Sequence, residues 1–154
     1  MVRAATMAMA RGDATMPPKV YLELPRHSDF RAMPAALTVP ATCGLKWVNV
    51  HPGNRARGLP TIMALIVIND PATGWPLAIM DGGWLTTLRT AAASAVAAKA
   101  LARSTSRRVA LIGCGAQGPL QLDALALMFR LTHVTVWGLL PHEAEHFCRS
   151  ARRR

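Results

Sequence analysis

Cysteine is scarce in this chain. Its 154 residues hold three, Cys43, Cys114 and Cys148, far apart and with no C-x-x-C pair. That spacing argues against a disulfide framework or a zinc site and suits a reducing compartment. No apolar run approaches the ~18 residues that span a bilayer. The first residues lack the continuous apolar core of a signal peptide, so a cytoplasmic protein without a membrane partner is expected. H-E-x-x-H, G-x-S-x-G and G-x-x-x-x-G-K-[ST] patterns do not occur, which leaves metal-dependent and serine hydrolases and nucleoside triphosphatases without support. Acidic residues are few, eight against 18 lysines and arginines, for a net charge of +10. Four of those bases, Arg149, Arg152, Arg153 and Arg154, crowd the last six residues, and without them +10 becomes +6. The others are scattered and not interleaved with aromatics, so no nucleic-acid partner is expected.

Half of the residues are hydrophobic, enough for a sizeable core. Residues 1–16 read as the last turns of a helix stopped by Gly12 and Pro17-Pro18. Strands are expected at 19–24, at 30–33 where Pro34 ends the run, and at 45–50. Residues 51–58 read as a polar loop. The apolar stretch 61–68 suits a strand buried on both faces, with a partner strand at 76–80 completing a hairpin. From Thr86 to Arg103, alanine fills eight positions, Thr86 or Thr87 offers an N-cap, and a helix is expected. Then come a strand at 109–112, a glycine-rich turn, a helix at 116–130, a strand at 133–137 and a helix over 141–149. The fold class is α/β: a β-rich domain (1–84), a linking helix (85–105) and the front of a doubly wound Rossmann-type domain (106–154).

Candidate chemistry starts at Gly113-Cys-Gly-Ala-Gln-Gly118. A strand before G-x-G-x-x-G and a helix after it fit a pyrophosphate-binding turn, in which backbone amides face the anion; a plain βα turn that uses glycine for geometry is the alternative. The acid expected about 20 residues further on is missing, because Trp137 is followed by Gly138. Lys46 alternates with Val48 and Val50 on one strand face, as a partly desolvated ammonium seeking an anion or as an edge-strand lysine. Arg89, in the first turn of the alanine-rich helix, is either a carboxylate or phosphate clamp or a solvated side chain. Thr61 reads as part of the sheet, and His51 as a loop histidine rather than a base.

Several motifs in order resemble the ornithine cyclodeaminase/mu-crystallin family: Met16-Pro-Pro-Lys19, Phe30-Arg-Ala-Met-Pro34, Gly44-Leu-Lys-Trp-Val-Asn-Val-His-Pro52, Gly58-Leu-Pro-Thr-Ile62, Leu85-Thr-Thr-Leu-Arg-Thr-Ala-Ala-Ala-Ser94 and Leu111-Ile-Gly-Cys-Gly-Ala-Gln117. The stretches around Phe30 and His51 are most similar to its archaeal-type alanine dehydrogenase branch. The resemblance implies NAD-dependent oxidation of an amino acid at its α-carbon, with NADP as the other possible cofactor. Lys19, Lys46 and Arg89 are implied to hold the substrate carboxylate, with Lys46 as the catalytic residue. Thr61, Arg89, Gly113, Gly115, Ala116 and Gln117 are the implied cofactor contacts. It also implies a homodimer built through the β-rich domain, and an amino acid or a 2-oxo or imino acid as ligand.

Within the family, ornithine cyclodeaminase and a non-catalytic NADPH- and ligand-binding protein like mu-crystallin are the rival readings. Relative to the family pattern the chain is expected to be truncated at both ends. It lacks the second half of the nucleotide domain with its essential aspartate, and is therefore expected to be inactive alone and aggregation-prone at its open sheet edge.

Overall fold

The computed structural model describes residues 1–152; Arg153 and Arg154 of the basic tail lie outside the described residues. The chain divides into two compact units, with the division between Thr86 and Thr87.

The first unit opens with α1 (Val2–Arg11), closed by Gly12 in the left-handed conformation at φ 81°, a backbone shape that glycine adopts without a Cβ penalty. A six-stranded antiparallel sheet follows. Its strands are β1 (Ala14–Thr15), β2 (Val20–Leu24), β3 (Ser28–Leu37), β4 (Thr42–Val50), β5 (Ile62–Asn69) and β6 (Pro76–Asp81). Both β1 and β2 pair with β3, and from there the order runs β4, β5, β6. Between β1 and β2 lie residues 16–19, where Pro17 and Pro18 have no amide to give to a ladder.

Three expectations for this unit are corrected. β3 does not stop before Pro34 but runs on to Leu37. Pro34 pairs with Leu45 of β4, and on its other side it faces the gap between β1 and β2, where a missing N–H costs little. β5 is not buried on both faces, since Ile62 and Leu65 are half exposed and only Ala64 is buried. Finally, Pro52–Arg57 forms a 3-10 helix rather than an irregular loop, closed by Gly58 at φ 67°.

Register divides the sheet into two unlike faces. On one, Met33, Lys46, Ile66 and Met80 form a row, beside Arg31, Val48 and Ala64; Val48 and Ala64 are the buried centre. On the other, Val20, Ala32, Trp47 and Leu65 line up, with Phe30 stacked on Trp47 at 5.3 Å. Val20, Leu22, Leu65 and Ile79 of this second face are all at least half exposed.

Helix α2 (Gly83–Leu101) starts three residues before the expected Thr86. Thr86 and Thr87 therefore lie inside it rather than at its N-cap. The Asp81 carboxylate accepts the Gly83 amide at 3.0 Å, an Asx turn that leads the chain into the helix. Gly82 makes the turn possible: a Cβ there would come within 2.9 Å of the Ala64 Cβ.

In the second unit, β7 (Arg108–Ile112) and β8 (His133–Trp137) pair in parallel, with Ile112 opposite Trp137. Between them runs α3 (Gln117–Met128), and α4 (Pro141–Ala151) follows β8. This β-α-β-α order is the front of a doubly wound domain, as the sequence predicts. α2 buries Ala91 and Ala95, and α4 buries Phe147.

Candidate functional site

Lys46 lies on β4, which is flanked by β3 and β5. An interior strand offers no edge past which a lysine could reach water, so the edge-strand reading is overturned. Its ammonium reaches the Thr86 hydroxyl at 3.5 Å, and its row neighbours Met33, Ile66 and Met80 are apolar. A cavity of about 250 Å³ opens beside it, lined by Met33, Ala35, Gly44, Ile66 and Ile68.

Arg31 shares this face and was not singled out from the sequence. Its Nε and Nη2 donate to the two Asp29 carboxylate oxygens at 2.6 and 2.8 Å, and its guanidinium carbon stands 5.2 Å from the Tyr21 ring centroid. That hydrogen bond holds Asp29 below its usual carboxylate range and raises Arg31 further. The result is a fixed guanidinium on the same face as an ammonium. The signal that would find it is the pairing of Arg31 with Val48, which exists only once β3 and β4 are set in register.

The other predicted residues are placed as follows. Lys19 is exposed just ahead of β2. Thr61 falls one residue before β5, and its carbonyl receives the His51 amide at 2.8 Å. The His51 ring meets Phe30 edge-on at 5.4 Å, which suits the loop-histidine reading. Arg89 is exposed on α2. Because that helix begins at Gly83, Arg89 is its seventh residue and not in its first turn, so the dipole argument for an anion there fails: the effect fades within one turn.

In the second unit the glycine turn resolves into three steric roles. Gly113 has φ 110°, a region that side chains disfavour, and nothing stands within 4 Å of a Cβ placed on Gly115. Gly118 is buried under α4, where a Cβ would meet Phe147 Cε2 at 2.8 Å and the Gly113 carbonyl at 3.2 Å. A tight turn, an open backbone face and a close helix contact are what a dinucleotide turn asks of its glycines. α3 has no side-chain cap. Among the described residues the amides of Cys114, Gly115 and Ala116 make no backbone hydrogen bond. The Gln117 side-chain oxygen is buried without a partner. Unspent amides around an accessible glycine fit a polyanionic ligand.

Two cavities border the turn. One of about 300 Å³ lies between α3 and α4, against Gly115, Ala116, Glu143 and Phe147. The other, of about 360 Å³, runs along β7 beside Gly113, Gln117 and Gln121. Gly138 ends β8 with no side chain. Among the described residues no group of His, Cys, Asp and Glu is arranged to hold a metal, and no helix is long and apolar enough to cross a membrane.

The model of the ornithine cyclodeaminase/mu-crystallin family matches residues 1–154, and the chain belongs to this family. It is 50% identical over 146 residues to an alanine dehydrogenase of Archaeoglobus fulgidus, an alignment that covers 95% of this chain and 44% of that protein. A solved archaeal alanine dehydrogenase dimer with bound NAD superposes with a TM-score of 0.94 at 48% identity, over 99% of this chain and 47% of that one. Delta(1)-pyrroline-2-carboxylate reductase of Thermococcus litoralis, solved with NADH and L-proline, gives 0.93 at 35% identity over 99% and 47%. The chain thus spans about half the length of the relatives it matches.

Proposed function

We propose that this chain serves NAD-dependent oxidation of a small amino acid at its α-carbon, in the manner of alanine dehydrogenase. One observation carries the reading: Gly113, Gly115 and Gly118 each meet a different steric demand of a dinucleotide turn. Similarity to alanine dehydrogenase over 95% of the chain supports the choice of substrate class.

NAD bound at the turn would supply the acceptor for a hydride. Gly113 is assigned to the cofactor site as the residue that shapes the turn, its own amide donated to the Trp137 carbonyl. Gly115, Ala116 and Gln117 would hold the pyrophosphate through backbone amides, and Thr61 and Arg89 are assigned as further cofactor contacts. Lys46 carries the catalytic part: its ammonium, on an apolar row, holds the substrate carboxylate and keeps the α-carbon oriented. Lys19 and Arg89 are assigned to the same carboxylate. Residues 1–84 form the substrate and dimerisation domain, 85–105 the linking helix, and 106–154 the nucleotide domain. The apolar sheet face bearing Val20, Leu22, Leu65 and Ile79 is the surface assigned to a homodimer, since exposed apolar patches of this kind mark interfaces.

The test is a fluorescence titration of the protein with NADH, followed by pyruvate or ornithine. Tight NADH binding, then perturbed by pyruvate and not by ornithine, supports the reading. Perturbation by ornithine alone replaces it with a cyclodeaminase, and absence of NADH binding removes it.

A further inference from the structure

The end of β8 is where a dinucleotide domain ordinarily presents an acid to the adenosine ribose, and here Gly138 presents nothing. The surroundings of Gly138 show what stands in that place. A Cβ at 138 would be 2.8 Å from Cys114 Sγ and 3.5 Å from the Ala144 amide nitrogen. The first turn of α4 is therefore packed directly on the end of β8, and the residue before Ala144 is an acid, Glu143. Its side chain is half-buried and borders the same cavity as Gly115, Ala116 and Cys114. Burial pushes the Cys114 thiol up from its usual range, and the Glu143 carboxylate pushes it further in the same direction, as a nearby negative charge must. Glu145 is exposed and does not border this cavity; of the two acids that do, Asp123 lies on α3 and Glu143 on the helix packed against Gly138. His146 also borders the cavity but is exposed.

We propose that Glu143, reaching back from the first turn of α4, supplies the carboxylate missing from the end of β8, accepts the 2′-hydroxyl of the adenosine ribose and excludes a 2′-phosphate. The inference rests on the dinucleotide reading of the glycine turn and makes the site selective for NAD over NADP. A carboxylate accepts hydrogen bonds and donates none, so it gains from a ribose hydroxyl. Against a phosphate, which carries close to two negative charges, the same group is repelled.

The experiment compares NADH and NADPH dissociation constants of the 154-residue chain, read from nicotinamide fluorescence, with circular dichroism as a check on folding. The wild type is expected to bind NADH at least about tenfold tighter than NADPH, the scale of one hydrogen bond to a charged group. Glu143→Gln is expected to bring the two within about threefold, Glu143→Lys to favour NADPH, and Glu145→Gln to leave the wild-type ratio unchanged. The wild-type ratio needs no variant: equal affinities overturn the assignment. So does a tenfold preference that survives Glu143→Gln. If neither dinucleotide binds, the reading of the glycine turn falls and the assignment with it, an outcome distinct from parity.

Discussion

The two units of this chain carry their chemistry in different materials. In the second, the candidate site is backbone: φ 110° at Gly113, open space over Gly115, and contact with Phe147 at Gly118. In the first, it is side chains from separate strands, Lys46 on β4, Arg31 on β3 and Thr86 on α2, brought to one face by register. A backbone site is local and tolerates little substitution at single positions. A register-built site is spread over the sheet, and each of its members contributes less.

That contrast is breakable by substitution. The largest effect is expected for Gly118→Val, whose added carbons have no room beside Phe147 Cε2 and the Gly113 carbonyl. Overpacking of this kind costs about 1–3 kcal/mol, and thermal unfolding followed by circular dichroism should show it as a lowered midpoint. Unchanged stability would mean that Phe147 moves aside freely.

In the first unit, Lys46→Met keeps the apolar row intact while removing the ammonium. Pyruvate affinity of the NADH-loaded protein should fall about tenfold, the scale of one charge-assisted hydrogen bond, with folding unchanged. Retained affinity would move the anion site to Arg31.

Asp29→Asn tests the support beneath Arg31. Both partners are partly exposed, at 30% and 16% of their side-chain area, so solvent screening keeps the loss small. The sign follows from linkage. Asp29 is depressed in the folded state, so its contribution is full above its unfolded value near ~3.9 and is lost as pH falls through the lower folded value. The difference between variant and wild type, measured by urea unfolding, should be constant from about pH 5 to 8 and vanish in stronger acid. A difference that grew on acidification would contradict the pairing.

The smallest effect is expected at the β5–β6 turn. There the Asp70 carboxylate accepts the Ala72 amide at 2.8 Å and the Thr73 hydroxyl at 2.9 Å. Asp70→Ala should lower the midpoint of the same unfolding measurement only slightly, because both bonds lie in solvent.

Legibility from sequence follows the same division. β8 is found at its predicted bounds, His133–Trp137, and the glycine turn sits between strand and helix as read, because those signals are contiguous in the chain. Lys46 was legible as a lysine among valines, but whether its strand lay inside or at an edge was not, since edge and interior differ only in what pairs alongside. Pro34 misled because its cost depends on the gap between β1 and β2, a fact about two other segments. The start of α2 misled for a different reason: Gly82 and Gly83 look like breakers until Ala64 and Asp81 are seen to require and use them. Glu143 reads from sequence only as one of the nearest acids, within the next helix; its significance lies in the packing of α4 against Gly138 rather than in its distance along the chain.

The claim that joins these observations is that Gly115 is kept bare for a ligand rather than for the fold. Nothing lies within 4 Å of a Cβ there, so Gly115→Val should fold as the wild type does while blocking approach to the adjacent amides. NADH titration of both proteins, with circular dichroism alongside, measures this directly. Our account expects matching spectra and melting, tight NADH binding by the wild type, and a loss of at least about tenfold in the variant. Equal NADH affinity in two equally folded proteins would contradict it.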